Sequence, residues 1–167
     1  MNYAAFDEMA NGTLAQRDGE DEQTYMERVL REVTRNDGFC GPDTPCSIYR
    51  INDMLAPEFA ACSAADKTLT LSLPVREWML NPVGTLHGGL MSTMMDMSMG
   101  LLSRYYRRTN EVSTVNLTVN YLRAVRPGGT VTAAVRAEKA GRRVIFQTGM
   151  LRTGDGKIVL TAAGTFM

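Results

Sequence analysis

Histidine is nearly missing from this chain: His87 stands alone among 167 residues. The cysteines number three, Cys40, Cys46 and Cys62, and no two of them form a C-x-x-C pair. With no C-x-x-C pair and one imidazole beside three scattered thiols, the spacing of a usual zinc set is missing, so no metal is expected. The odd count also argues against a disulfide framework. The thiols read as reduced, as in a cytoplasmic protein; a Cys40–Cys46 bridge across a short loop is the alternative. The first residues, Met1 to Glu8, lack the basic and apolar segments of a secretory signal. No uncharged apolar run is long enough to span a membrane, since the best candidate, 86–102, is interrupted by His87, Asp96 and small polar residues. Neither sign of charge is in excess, with 18 Lys/Arg against 18 Asp/Glu. The distribution is uneven: residues 1–50 carry five basic and ten acidic side chains, and residues 51–167 carry thirteen and eight. A modestly basic body suits a small anionic ligand, but it is too weak, and too poor in clustered aromatics, for nucleic acid.

What is present reads as one domain with a long lead-in. Residues 1–20 are polar. Residues 21–35 have the period of an amphipathic helix, with Tyr25, Val29 and Val33 four apart and Asn36-Asp37-Gly38 as a stop. Residues 39–46 are a glycine- and proline-bearing loop. The lead-in, 1–50, is expected to be a helical arm packed on the body, 51–167. Two strand-like runs, 58–64 and 68–75, come next, the second alternating Leu69, Leu71, Leu73 and Val75 with Thr and Ser. A helical turn over 77–80 follows, then a loop and a helix over 88–106. That helix is apolar nearly all round, which predicts a central buried position. Four further strands, 112–125, 130–139, 143–152 and 157–166, are separated by short glycine-containing turns and so form antiparallel hairpins. The economical architecture is α+β, one antiparallel sheet wrapped around the long helix.

The chemistry concentrates before and inside that helix. From Trp78 to Ser103 one side chain carries a formal charge, Asp96, and His87 lies in the same window. Burying an unpaired carboxylate is costly, so folding alone would not place one there. A helix start offers unpaired N–H groups and a partial positive charge. Gly88 and Gly89 at that start would let a carbonyl come close to them. An acid seated among apolar side chains is poised to act as a base.

This order of elements, with the loop Asn81-x-x-Gly84-x-x-His87-Gly88-Gly89 and Asp96, resembles the hotdog-fold acyl-CoA thioesterases of the phenylacetate-pathway (PaaI-like) type. The likeness runs from about residue 58 to the C-terminus. It implies hydrolysis of an acyl-coenzyme A, with no bound cofactor beyond the coenzyme A of the substrate. It also implies roles: Asp96 as the base or nucleophile, Gly88 as the backbone donor to the thioester carbonyl, Asn81 as a second holder of that carbonyl, His87 in support, and Thr114 positioning the water. Gly89 would line the substrate, and Arg142 and Arg143 could meet the coenzyme A phosphates. Plainer readings stand beside these. Asp96 could sit in an ion pair, His87 could bond the loop backbone, Asn81 could be a turn residue, and Thr114 an ordinary strand threonine with Ser113 as its rival. Arg142 and Arg143 could be a solvated turn. Met91, Met94, Met95, Met97 and Met99 read first as core.

Eight residues separate Gly88 from Asp96, roughly 12 Å along one helix. One carbonyl cannot reach both within a chain. A homodimer with composite sites is therefore expected, with a tetramer of two such dimers as the larger alternative. Two other readings use the same fold: an acyl-CoA-binding protein without turnover, and an enoyl-thioester hydratase or dehydratase. No membrane and no nucleic-acid partner is expected.

Overall fold

The computed structural model describes residues 15–34, 51–109 and 111–167. Its elements in chain order are α1 (Glu22–Thr34), α2 (Ile51–Met54), β1 (Glu58–Ser63), β2 (Thr68–Pro74), a 3-10 turn at Glu77–Met79, α3 (Gly88–Arg107), β3 (Thr114–Tyr121), β4 (Thr130–Ala140), β5 (Ile145–Thr153) and β6 (Ile158–Phe166). The short helix α2 has no counterpart in the sequence reading. The expected loop over 39–46, with Cys40 and Cys46, lies outside the described residues. Cys62 is a free thiol, and burial pushes its pKa up from 9.0.

The strands form one antiparallel sheet in the order β1-β2-β4-β5-β6-β3. This is the hotdog arrangement, with α3 lying on the sheet. Alternation decides which face it covers. Leu69, Leu71 and Leu73 of β2 and Val131, Ala133 and Val135 of β4 are buried, while the threonines between them are at least partly exposed. Each buried leucine or valine among them contributes about 1.5–3 kcal/mol. Two strand glycines let the helix settle close. A Cβ at Gly149 would stand 2.5 Å from Met95 Cε, and one at Gly164 would stand 2.8 Å from Met99 Sδ. The methionines are indeed core: Met91, Met94, Met95, Met97 and Met99 are all buried. Inside that core, Gln147 donates from Nε2 to the Met99 carbonyl at 2.8 Å and to Ser103 Oγ at 2.6 Å, tying β5 to the helix.

The expectation of a helix buried all round needs correction. One stripe of α3 is only partly covered, with Gly89 exposed and Ser92, Thr93, Asp96 and Gly100 half-buried. The sheet packs mainly on the other side of the helix; among the described residues β3 reaches this stripe at Ser92 and Asp96, and the rest of it is left open.

Two strand limits also differ from the expected ones, each for a visible reason. β3 stops at Tyr121 because the next residues turn toward the start of α3, where the Leu86 N–H donates to the Val125 carbonyl at 2.8 Å. β5 starts at Ile145 because Arg142 and Arg143 belong to a turn closed by the Gly141 N–H on the Val144 carbonyl at 3.0 Å.

Helix α1 packs its buried face, Tyr25, Met26, Val29, Leu30 and Val33, on β1 and α3. The Tyr25 ring meets Tyr105 at 6.0 Å between centroids. Asp21 caps this helix, its Oδ1 accepting from the Thr24 N–H at 2.7 Å.

Candidate active site

The loop before α3 is built around Asn81. Its Oδ1 accepts from the N–H groups of Val83 and Thr85, both at 3.1 Å, and its Nδ2 donates to Thr85 Oγ1 at 3.0 Å. Backbone bonds from Asn81 N–H to the Thr85 carbonyl and from Gly84 N–H to the Asn81 carbonyl close the turn, with Gly84 at φ +76°. This is the turn use of an asparagine. The side chain is engaged within its own loop, where it holds the loop's shape.

His87 caps the helix. Its φ and ψ of −62° and 130° are extended, and its Nδ1 accepts from the Gly89 N–H at 2.9 Å. A ring that accepts at Nδ1 carries its proton on Nε2 when neutral. The His87 carbonyl takes the N–H groups of Leu90 and Met91 at 3.0 and 3.1 Å. Gly88 is the remainder: among the described residues no group accepts from its N–H. The Gly89 N–H, which the sequence reading offered to the substrate, is already engaged by His87. A helix start normally leaves several donors unpaired; here the histidine reduces them to one, with the positive end of the helix dipole behind it.

Asp96 lies two turns on, on the partly covered stripe of α3. The sequence reading expected it sunk out of water. In the single chain it is half-buried, because only the β3 edge of the sheet reaches this side of the helix. Its Oδ1 accepts from Thr114 Oγ1 at 2.7 Å. Of the two strand candidates, Thr114 is therefore the one that meets the acid; Ser113 instead pairs through its backbone with Met167. Among the described residues no cation forms an ion pair with Asp96. Nor is any group of three or more His, Cys, Asp and Glu side chains there placed to hold a metal ion.

Arg142 and Arg143 are exposed at the β4–β5 turn. Arg107 in the last turn of α3 donates to the Arg143 carbonyl at 3.0 Å. A helix of 20 residues is about 30 Å long, so the pair sits at the opposite end of α3 from its own Gly88. The chain thus assembles its residues into two clusters. One holds Asn81, His87, Gly88 and Gly89, and the other holds Asp96 and Thr114.

Sequence reasoning missed two residues of the first cluster. Ser92 and Tyr121 share a hydrogen bond between their hydroxyls, with the Tyr121 ring against Gly88. Nothing in their spacing marks them, because one lies on α3 and the other at the end of β3.

Fold and loop together place the molecule in the hotdog class. The thioesterase superfamily model matches residues 83–160. PA0474 of Pseudomonas aeruginosa, named as a candidate esterase, is 31% identical over 115 residues, covering 68% of this chain and 84% of that protein. A phenylacetic acid degradation-related protein of Ralstonia eutropha has the same fold at a TM-score of 0.65 and 28% identity, over 73% of this chain and 92% of that one. A variant of thioesterase PA1618 of P. aeruginosa gives a TM-score of 0.61 at 31% identity, over 70% and 83%. The chain belongs to the thioesterase superfamily.

No helix among the described residues is long and apolar enough to cross a membrane.

Proposed function

We propose that this protein hydrolyses acyl-CoA thioesters at a site shared between two copies, with the Gly88 N–H of one and Asp96 of the other. The observation that carries this reading is the single unpaired N–H at the start of α3. A donor fixed in a helix start is ready to stabilise the oxyanion that forms when a thioester is attacked. Asp96 supplies the other half. With Thr114 donating to one carboxylate oxygen, the carboxylate keeps its orientation and takes a proton from water. The water oxygen bonds to the carbonyl carbon, the C–S bond breaks, and the coenzyme A thiolate leaves. Direct attack by the carboxylate is the second route to the same products.

Three features support the composite arrangement. Gly88 and Asp96 are about 12 Å apart along one helix. The stripe bearing Asp96 is only partly covered among the described residues of a single chain. Arg142 and Arg143 lie at the end of the helix away from their own Gly88, so a partner whose helix ran antiparallel to this one would bring its donor toward them and let them face the coenzyme A phosphates.

Thiol release from acyl-CoAs by Asp96→Asn tests the assignment. The amide keeps the shape and the Thr114 contact but takes no proton, and the expected loss in kcat is about 100- to 10,000-fold. Near-normal kcat in a folded variant would remove Asp96 from the mechanism.

A further inference from the structure

We infer that Tyr121, held in place by Ser92, is the wall that sets how large an acyl group this site accepts. The inference rests on the thioesterase reading and adds the residue that bounds its acyl side.

Tyr121 ends β3, at the point where the chain leaves the ladder for the start of α3. Its ring lies over the residue that carries the unpaired N–H: a Cβ at position 88 would stand 3.3 Å from Tyr121 Cε1. A side chain there would displace this ring by a few tenths of an ångström. The tyrosine hydroxyl shares its hydrogen bond with Ser92 Oγ, and Ser92 Oγ also lies 3.3 Å from the Gly88 carbonyl, to which it donates. Ser92 therefore ties the ring to the same helical turn that would hold the oxyanion. Tyr121 is 52% exposed, so without that tie its side chain would be free to swing.

The ring walls an open depression of about 340 Å³ that begins at Gly88 and is lined by Leu86, Met91, Leu122 and Ala124. The charged group on its rim, Arg123, is engaged elsewhere, donating from Nη1 to the Ile158 carbonyl at 2.6 Å. A recess whose walls are more apolar than polar, beside the proposed carbonyl donor, suits the apolar tail of an acyl group better than the amides of the coenzyme A arm. Tyr121 acts here as a specificity-determining residue, outside the proton transfer.

The test is a series of straight-chain acyl-CoAs of increasing length, with aryl-acetyl and benzoyl thioesters beside them. Each is measured for kcat and KM on the wild type and on Tyr121→Ala, Tyr121→Trp, Tyr121→Phe and Ser92→Ala. Shortening the wall in Tyr121→Ala is expected to move kcat/KM toward the bulkier substrates by about tenfold relative to the short ones, mainly through KM. Tyr121→Trp shifts the ratio the other way, which a merely unstable variant would not do. Tyr121→Phe and Ser92→Ala delete the same hydrogen bond, so they agree with each other in a smaller shift toward bulk. A uniform fall across the series in Tyr121→Ala, or Ala and Trp moving the ratio in the same direction, overturns the inference while the wild type still hydrolyses acyl-CoA. A wild type that releases thiol from no acyl-CoA overturns the hydrolase reading itself, and this inference with it.

Discussion

Strand β1 closes one end of the sheet and β3 the other, and among the described residues each leaves a row of backbone groups without a strand beside it. At β1 the chain supplies a cover. Helix α1 packs along it, and Gln23 bonds it as a strand would, donating from Nε2 to the Cys62 carbonyl at 3.0 Å and accepting at Oε1 from the Ala64 N–H at 2.7 Å. Arg31 lies over the Phe59 ring of the same strand at 4.5 Å. β3 has no such cover among the described residues. Val115 is 54% exposed, and Leu122, just past the strand, is 50% exposed. An edge with exposed apolar side chains is a template for pairing, and proteins commonly blunt such edges. This one is left open beside the candidate site: Thr114 begins the strand, Tyr121 ends it, and the partly covered stripe of α3 runs next to it. The contrast gives the proposed second copy a place: the edge remote from the candidate site is sealed from within, and the edge beside it is open among the described residues.

The largest expected effect breaks the comparison at its functional end. Gly88→Pro removes the N–H at the first helical position, where proline is well tolerated; Asp96→Asn removes the base. Each alone should lower kcat by about 100-fold or more. Mixed after joint unfolding and refolding, they form heterodimers in which one of the two composite sites is whole. With random pairing, about a quarter of wild-type activity should return. A site contained within one chain would return none, and thiol release from the mixture separates the two cases.

The next effect is on assembly. Val115→Arg places a cation on the open edge, where a two-fold partner would bring its own copy of that cation close. Desolvating like charges at an interface costs several kcal/mol, which weakens association by about 100-fold or more. Sedimentation should show the smaller species at micromolar concentration, and activity per chain should fall on dilution with the same midpoint. A variant that stays assembled and active would show that β3 is not the interface.

Much of this was readable before any coordinates. The alternation of Leu69, Leu71 and Leu73 and the glycine turns gave the strands to within a few residues, because periodicity reports which face is buried. The loop motif located both clusters for the same reason that a lone charge in an apolar window stands out. What escaped is relational. The sequence cannot show that His87 takes the Gly89 N–H and so leaves Gly88 as the one unpaired donor. It cannot show that Asn81 closes its own turn, since a turn asparagine and a substrate-binding one look alike. Ser92 and Tyr121 are 29 residues apart and meet only because β3 returns across the helix start. The burial of Asp96 was overestimated because composition reports an apolar helix without saying which side the sheet takes.

A smaller effect belongs to the sealed edge. Gln23→Ala leaves the Cys62 carbonyl and the Ala64 N–H to solvent at a half-covered position. The expected loss is about 1–2 kcal/mol for two hydrogen bonds, seen as a lower denaturation midpoint. Assembly mass and kcat should not change, which is the reverse of Val115→Arg. If Gln23→Ala altered the oligomer, the β1 edge would be part of the interface and the two edges would not differ in kind.

The smallest effect concerns how α1 is fastened at its start. Arg28 donates from Nε to Glu20 Oε1 at 2.8 Å and from Nη2 to the Ala15 carbonyl at 3.1 Å, folding the lead-in back on the helix. The Arg28 guanidinium, with help from the Arg17 N–H, holds the Glu20 carboxyl at about 2 against an ordinary 4.5. A carboxylate held low in the folded state stabilises it fully above the unfolded value and ceases to do so as pH falls through the folded one. The fastening should therefore be complete above pH 4.5, weaken below it, and be gone near pH 2. A surface pair contributes little to global stability, so the readout must be local. Hydrogen exchange over residues 15–34, compared with Arg28→Ala at each pH, should show slower exchange in the wild type at neutral pH and a gap that closes between pH 4.5 and 2. Equal exchange in the two proteins at every pH would mean that α1 is held by its apolar face on β1 and α3 alone, and that the seal over the β1 edge does not depend on this ion pair.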